Sequence, residues 1–418
     1  MRTLLLVVSL ALAPLAAQGQ SFTVLYSFNP NAFNALDGLT MDASGNLYGT
    51  TSSGGYRLGE CANYTKNGCG TVFKLARYGS HWVFTPLYAF QAYSDGALPY
   101  ATVVFGPNGA LYGTTCCGGG ANSGTVFTVT PPSQACKTAL CMWDETVIYT
   151  FCPSCYNGDG MNPAGAVAFD AAGNIYGTTC NGGKGLLDDG TVYQLTPSGG
   201  REWKEAVLYS FNGPAGDGTC PESALVIDQH DNLFGTTAMG AGPPYPNGEV
   251  FEVSPVGGGW SYQQIYTFHG DGDGKEPSGS LISDAEGNFY GATVLGYGNH
   301  GPTVYDLSPS GGGWTESVLY TWAVGEPGGR GSLTMDSAGN LYGATGMWPS
   351  DYGSIFKLTR SNGGWSYSTL HQFTGGSDGA FPNGHLAIDA QGNIYGTTQY
   401  GGSSACMNGC GVVFEINQ

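Results

Sequence analysis

The chain has 418 residues, of which 71 are glycine, 13% are aromatic and only 11% are charged. So much glycine excludes a helical bundle, while the apolar and aromatic content excludes a solvated low-complexity chain. Thirteen Lys and Arg against 31 Asp and Glu give a net charge of −18, which excludes a nucleic-acid phosphate backbone as partner.

The first predicted element is a signal peptide at 1–19: Arg2, an apolar run from Thr3 to Ala17, then Ala17-Gln18-Gly19 with small residues flanking a cut after Gly19. The run is too short to span a bilayer, and the first cysteine is Cys61, so no lipid anchor is expected. No later segment is apolar enough to insert in a membrane. The expectation is a secreted or periplasmic, monomeric protein with one domain at 20–418.

The next element, Phe22–Phe28, is a strand of a type that recurs down the chain. Gly-Asn-Leu-Tyr-Gly-Thr-Thr at 45–51 returns at 109–115, 173–179, 231–237, 287–293, 339–345 and 392–398. Each copy follows a short apolar run and a turn rich in Asp, Gly and Asn, as in Asp170-Ala-Ala-Gly-Asn174. Each is followed by a phrase like Gly-Thr-Val-Phe-Lys-Leu (70–75). In six repeats a Trp comes next, with Phe or Trp eight residues on, as in Trp82 and Phe90. An even separation puts both rings on one strand face. We label these strands a (short run), b (Leu-Tyr-Gly-Thr-Thr), c (Thr-Val-Phe) and d (Trp to Phe). Four strands per repeat make a β-propeller blade. The chain starts with a lone d (22–28) and ends with a lone a-b-c set (383–416), so the fold class is all-β: a seven-bladed propeller closed by the N-terminal strand pairing with the last blade. The Tyr of strand b and the Trp of strand d recur as inter-blade core, and the paired threonines of strand b as a hydroxyl ladder.

This tandem pattern, Asp-x-x-Gly-Asn-Leu-Tyr-Gly-Thr-Thr followed by Gly-Thr-Val-Phe-Lys-Leu, resembles the GloVer tandem-repeat family over about residues 21–418. The resemblance implies exported bacterial repeat proteins that pair such repeats with varied C-terminal anchors. It implies architecture and export without implying a chemistry. From these residues no anchor is expected after Gln418, and the loop at 323–333 lacks the Asp-Gly of the other d–a loops.

Alternating strand direction puts the b–c and d–a loops on one face. They vary in length and carry ten of the twelve cysteines, so this is the expected working face. In an exported chain the cysteines read as disulfides: Cys61–Cys69, Cys406–Cys410, Cys136–Cys141, Cys180–Cys220, and two bridges between Cys116/Cys117 and Cys152/Cys155. The alternative for the last four is local pairing, Cys152–Cys155 with a vicinal Cys116–Cys117. No His/Cys set has zinc-site spacing. Asp-Gly recurs before the d–a prolines (Asp95, Asp159, Asp217, Asp273 and Asp378) as a shared turn. Asp271 and Asp273 are the candidate pair for a calcium ion, although the downstream Glu of an EF-hand is missing.

Strand a aligns on Leu39, Val103, Val167, Leu225, Leu281, Leu333 and Leu386. The preceding residue is small in every repeat except His385, and three residues before the anchor stand Leu36, Tyr100, Ala164, Glu222, Ser278, Arg330 and Asn383. Repeat structure does not demand Tyr100, Glu222, Arg330 or His385, which makes them the ligand-site candidates near the channel mouth. Tyr56, Tyr245, Tyr297, Trp348, Tyr352 and Tyr400 on the loops are candidate sugar-stacking aromatics. The expected function is binding of an extracellular glycan or protein through this face. The alternative is a polysaccharide lyase, with Arg330 neutralising a uronate and His385 and Tyr100 as base and acid. A glycoside hydrolase fits less well, since Glu222 has only rim aspartates as partners.

Overall fold

The computed structural model describes residues 20–418 apart from 60, 62–65, 133–141, 153, 155–157, 185–188, 201, 214–215, 241–246, 347–350 and 362. The expected signal peptide, Cys136, Cys141, Cys155, Tyr245 and Trp348 lie outside the described residues. Among those described, no helix is long and apolar enough to cross a membrane.

The fold is an all-β propeller of seven four-stranded antiparallel sheets, each in the order a-b-c-d. In blade 1 the strands are Thr40–Met41, Leu47–Thr51, Thr71–Tyr78 and His81–Ala89. Blade 7 is composite. Ala380–Ile388, Ile394–Gly402 and Gly409–Asn417 supply a, b and c, and Ser21–Ser27 from the other end of the chain supplies d, in register from Ser21↔Asn417 to Ser27↔Val412. Closing the ring removes two exposed strand edges.

The repeated residues explain why blades stack. Strand-b rings meet the strand-d tryptophan of the next blade: Tyr395 with Trp82 and Tyr176 with Trp260, both with centroids 6.2 Å apart, and Phe234 with Trp314 at 5.9 Å. The ring ending each d strand also crosses an interface, as in Phe90 on Phe127 at 5.0 Å and Phe28 on Phe73 at 5.5 Å, both edge-on. The two threonines of strand b divide the polar work. The first donates to a strand-a carbonyl of the next blade, as Thr50 to Ala101 at 2.9 Å, Thr114 to Gly165 at 3.0 Å and Thr178 to Ser223 at 3.0 Å. The second bonds to strand c of its own blade, as Thr51 with Thr71 at 2.8 Å. Blade 4 breaks this ladder. Glu249 stands where Thr71 would be, fully buried, taking hydrogen bonds from Gly218 N, Tyr262 and Gln264.

Six of the seven a–b turns are Asx turns built on an Asp, and in blade 2 Gly106 takes that place. Asp170 accepts the amides of Ala172 and Asn174, the Asn174 side chain and the Tyr176 hydroxyl, and the same set repeats around Asp42, Asp284, Asp336 and Asp389.

Candidate functional site at the channel mouth

The seven a strands crowd the axis so closely that a Cβ on Gly384 would lie 2.1 Å from the Gly38 nitrogen. Residues three and one before each apolar anchor are two apart, hence on one face of the strand, and that face looks into the channel. All seven residues of the outer ring, Leu36, Tyr100, Ala164, Glu222, Ser278, Arg330 and Asn383, line a single cavity of about 320 Å³ at the mouth. The inner ring separates it from a cavity of about 500 Å³ lined by Leu39, Val167, Leu225, Leu281 and Leu386. Ser280 and Ser332 clamp that waist, accepting from the amides of Ala224 and Ser280, both at 2.8 Å.

The structure thus brings Tyr100, Glu222 and Arg330 together and sets His385 apart. His385 lines the inner cavity and is absent from the wall of the mouth. Its Nδ1 lies 2.9 Å from the Thr334 hydroxyl, which donates to the Leu386 carbonyl at 2.7 Å. The hydroxyl therefore accepts from Nδ1–H, leaving Nε2 as the lone-pair nitrogen. Burial pulls the imidazole below its ordinary pKa, against a smaller opposing pull from Asp37. The histidine is held neutral within the waist ring.

At the mouth, burial pushes the Tyr100 phenol well up, reinforced by Cys116, Cys117 and Glu222. Glu222 is solvent-exposed yet recessed, and burial by the surrounding wall raises its carboxyl. Sequence reasoning missed Asp37, which also lines the mouth. The amides of Gly38 and Thr102 each donate to its carboxylate at 2.8 Å, locking it across blades 1 and 2. The signal was there: it is the only acid at the position two before the strand-a anchor.

The Asp-Gly aspartates serve their loops. Asp95 accepts from the Tyr88 hydroxyl and Gln91 N, Asp159 from Tyr149 and Cys152 N, and Asp217 from Tyr209 and Asn212 N. In the loop that lacks Asp-Gly, Glu326 caps the Ala323 amide instead. Asp273 takes Tyr266, His269 N and Gly270 N, while Asp271 stays exposed. Of the stacking candidates, Tyr56, Tyr297 and Tyr352 are exposed on the loop face. Lys275 lies over the Tyr297 ring at 5.9 Å, and Tyr400 packs edge-on against Phe381 at 5.7 Å.

Cys61–Cys69, Cys180–Cys220 and Cys406–Cys410 are bridged as expected. The predicted bridges from Cys116 and Cys117 to Cys152 and Cys155 are not formed. Cys116 and Cys117 are free thiols with sulfurs 2.6 Å apart, and Cys152 is disulfide-bonded elsewhere. The reason is register. Cys220 and Asn162 are equivalent, each preceding the loop proline in a left-handed conformation, φ 51° and 58°. Opposite Cys116 there is thus no sulfur, only the Asn162 amide, which donates to the Cys116 carbonyl at 2.8 Å. Cys152 lies at the far end of its loop, with its amide on Asp159.

A family model described as the Gloeobacter/Verrucomicrobia repeat matches residues 11–152 and 142–347. Among curated proteins, none matches the sequence. Among solved structures, the chain is similar to an ulvan lyase, described as a new family of polysaccharide lyase and solved bound to -[GlcA(1-4)Rha3S]-. Identity is 12%, 93% of this chain and 94% of that chain are covered, and the TM-score is 0.55. It is also similar to a protein from Lactobacillus plantarum at 13% identity, with 84% and 89% covered and a TM-score of 0.51. At these identities the likeness is one of fold.

Proposed function

The chain belongs to the Gloeobacter/Verrucomicrobia repeat family, and from that premise we propose that it is an exported binding propeller, anchoring a glycan or protein partner on its b–c and d–a loop face at the channel mouth. One observation carries this reading. The residues that depart from the repeat, Tyr100, Glu222 and Arg330, converge on one cavity with Asp37 and Asn383. A concave site with a few convergent polar groups and both signs of charge suits a polar ligand. Loop disulfides and fixed turns hold the surrounding loops, which lowers the ordering cost of binding.

The lyase alternative draws on Arg330 and Tyr100 sharing the mouth, and on a lyase among proteins of this fold. It lacks a base. His385 belongs to the waist ring, lines the inner cavity and is bonded to Thr334, and a general base must come within hydrogen-bond reach of the proton it takes. Binding is therefore the better reading.

A glycan array read both for retention and for the ultraviolet absorbance of unsaturated products separates the two. Retention without new absorbance, weakened in Arg330→Gln and Glu222→Gln at unchanged melting temperature, is expected. Turnover that disappears in His385→Ala would replace binding by catalysis.

A further inference from the structure

Two of the b–c loops carry a disulfide of their own: Cys61–Cys69 in blade 1 and Cys406–Cys410 in blade 7. These blades are neighbours across the ring closure. Between the two stapled loops lies a cavity of about 450 Å³, lined by Arg57 and Asn67 from one loop, Tyr400 and Asn408 from the other, and Asn34 from the d–a loop between them. It is off the axis and shares no residue with the mouth.

Its chemistry is unlike the rest of the molecule. In a chain of net charge −18, no Asp or Glu is among its described lining residues, whereas an arginine is. Arg57 is exposed, and among the described residues no ion pair holds it. Asn34 has its side-chain nitrogen fixed on the Ser52 hydroxyl at 2.7 Å, while its Oδ1 is buried without a donor. At the equivalent position in the next-but-one blade, Asn162 spends its amide on the neighbouring loop instead. A buried acceptor without a donor costs stability unless a ligand or water supplies one. Tyr400, half-buried, contributes an aromatic ring.

We infer that this seam cavity is a second binding site, for an acidic saccharide. The Arg57 guanidinium would take a sugar carboxylate through paired hydrogen bonds. The amides of Asn34, Asn67 and Asn408 suit hydroxyls, and Tyr400 suits the apolar face of a pyranose ring. The two disulfides hold opposite walls in place before the ligand arrives, so little ordering entropy is lost on binding. The volume falls within the range of small-ligand sites, about 300–1,000 Å³.

The test is calorimetric titration of the intact mature protein with a galacturonic acid trisaccharide and, in parallel, the neutral galactose trisaccharide. Preference for the acidic probe is expected, with a loss of about tenfold or more in Arg57→Gln and a smaller loss in Asn34→Ala. Because Arg57 is exposed, its variant should melt like the parent. Arg330→Gln in the mouth should leave this binding intact. Equal affinity for both probes, no binding of the acidic one, or binding unaffected by Arg57→Gln overturns the seam site. Binding lost in Arg330→Gln but kept in Arg57→Gln overturns it as well, while leaving the mouth as the site.

Discussion

Glu145 on strand d of blade 2 places its carboxyl near Asp95 in the loop leaving blade 1, and one of its oxygens is buried with no hydrogen-bond donor. Burial, and then the Asp95 charge, push that carboxyl up to about 8. The relationship repeats around the ring: Glu205 near Asp159 and Glu316 near Asp273 are each raised to about 7.

Stability should therefore depend on pH with a definite sign. An acid with a folded pKa above its unfolded value holds its proton longer when folded, so stability is greatest below the unfolded value of 4.5 and falls as pH rises toward the folded one. His371 and His385 have lowered pKa values and act in the opposite sense, but only below about 6.5. Between pH 6.5 and 8 the glutamates are left to set the slope. The melting temperature should fall across that window, and Glu145→Gln should flatten the fall and raise melting at pH 8. Calorimetry at closely spaced pH values checks this; a melting temperature that climbs from 6.5 to 8 would refute it.

The cysteines give a second prediction. Non-reducing peptide mapping should recover Cys61–Cys69, Cys180–Cys220 and Cys406–Cys410, with no peptide joining Cys116 or Cys117 to Cys152 or Cys155. Mild oxidation should close Cys116 onto Cys117, seen as loss of two hydrogens in mass and of reactivity toward an alkylating agent. A cross-loop peptide would show that the register argument around Asn162 is wrong.

What could be read from the chain divides along the same line. The blades, the composite seventh sheet and the ring of outer residues at the mouth follow from periodicity, because a repeat fixes which residues are equivalent before any coordinate is known. The interactions between repeats were harder to see. Asn162 and Cys220 are equivalent only when counted from the loop proline; counted by loop membership, Cys152 takes the partner's place. His385 reads with the mouth because its strand enters there, but two residues of extended chain take it from the level of Asn383 to the waist ring, where it lines the inner cavity. The glutamate–aspartate pairs went unseen because their members come from different phrases of the repeat.

The waist offers a third test. Ser280 Oγ accepts from the Ala224 amide, and one strand on Ser332 Oγ accepts from the Ser280 amide. Ser280→Ala removes an acceptor and leaves the Ala224 N–H to find water in the channel. A loss of about 1–3 kcal/mol in unfolding free energy is expected if none reaches it. Chemical denaturation of this variant beside Ser337→Ala, on an exposed a–b turn, reads the difference; equal stabilities would mean that the channel hydrates the waist.

Ring closure gives the last. The d strand of blade 7 is held by its pairing with Gly409–Asn417, by the Phe28 amide on the Gly411 carbonyl at 3.0 Å, and by the Phe28 ring, fully buried against Phe73. Phe28→Ala empties an inter-blade core site, for which about 3–5 kcal/mol is the ordinary cost. Deleting residues 20–28 does something different. It uncovers the Gly409–Asn417 edge, whose free amides and carbonyls can template pairing with another chain. Size-exclusion chromatography should show the point variant as a destabilised monomer and the deletion as oligomers or aggregate. A monomeric deletion variant with parental melting would mean that the first strand adds a fourth member to a sheet already stable with three, and that closure does not hold the ring together.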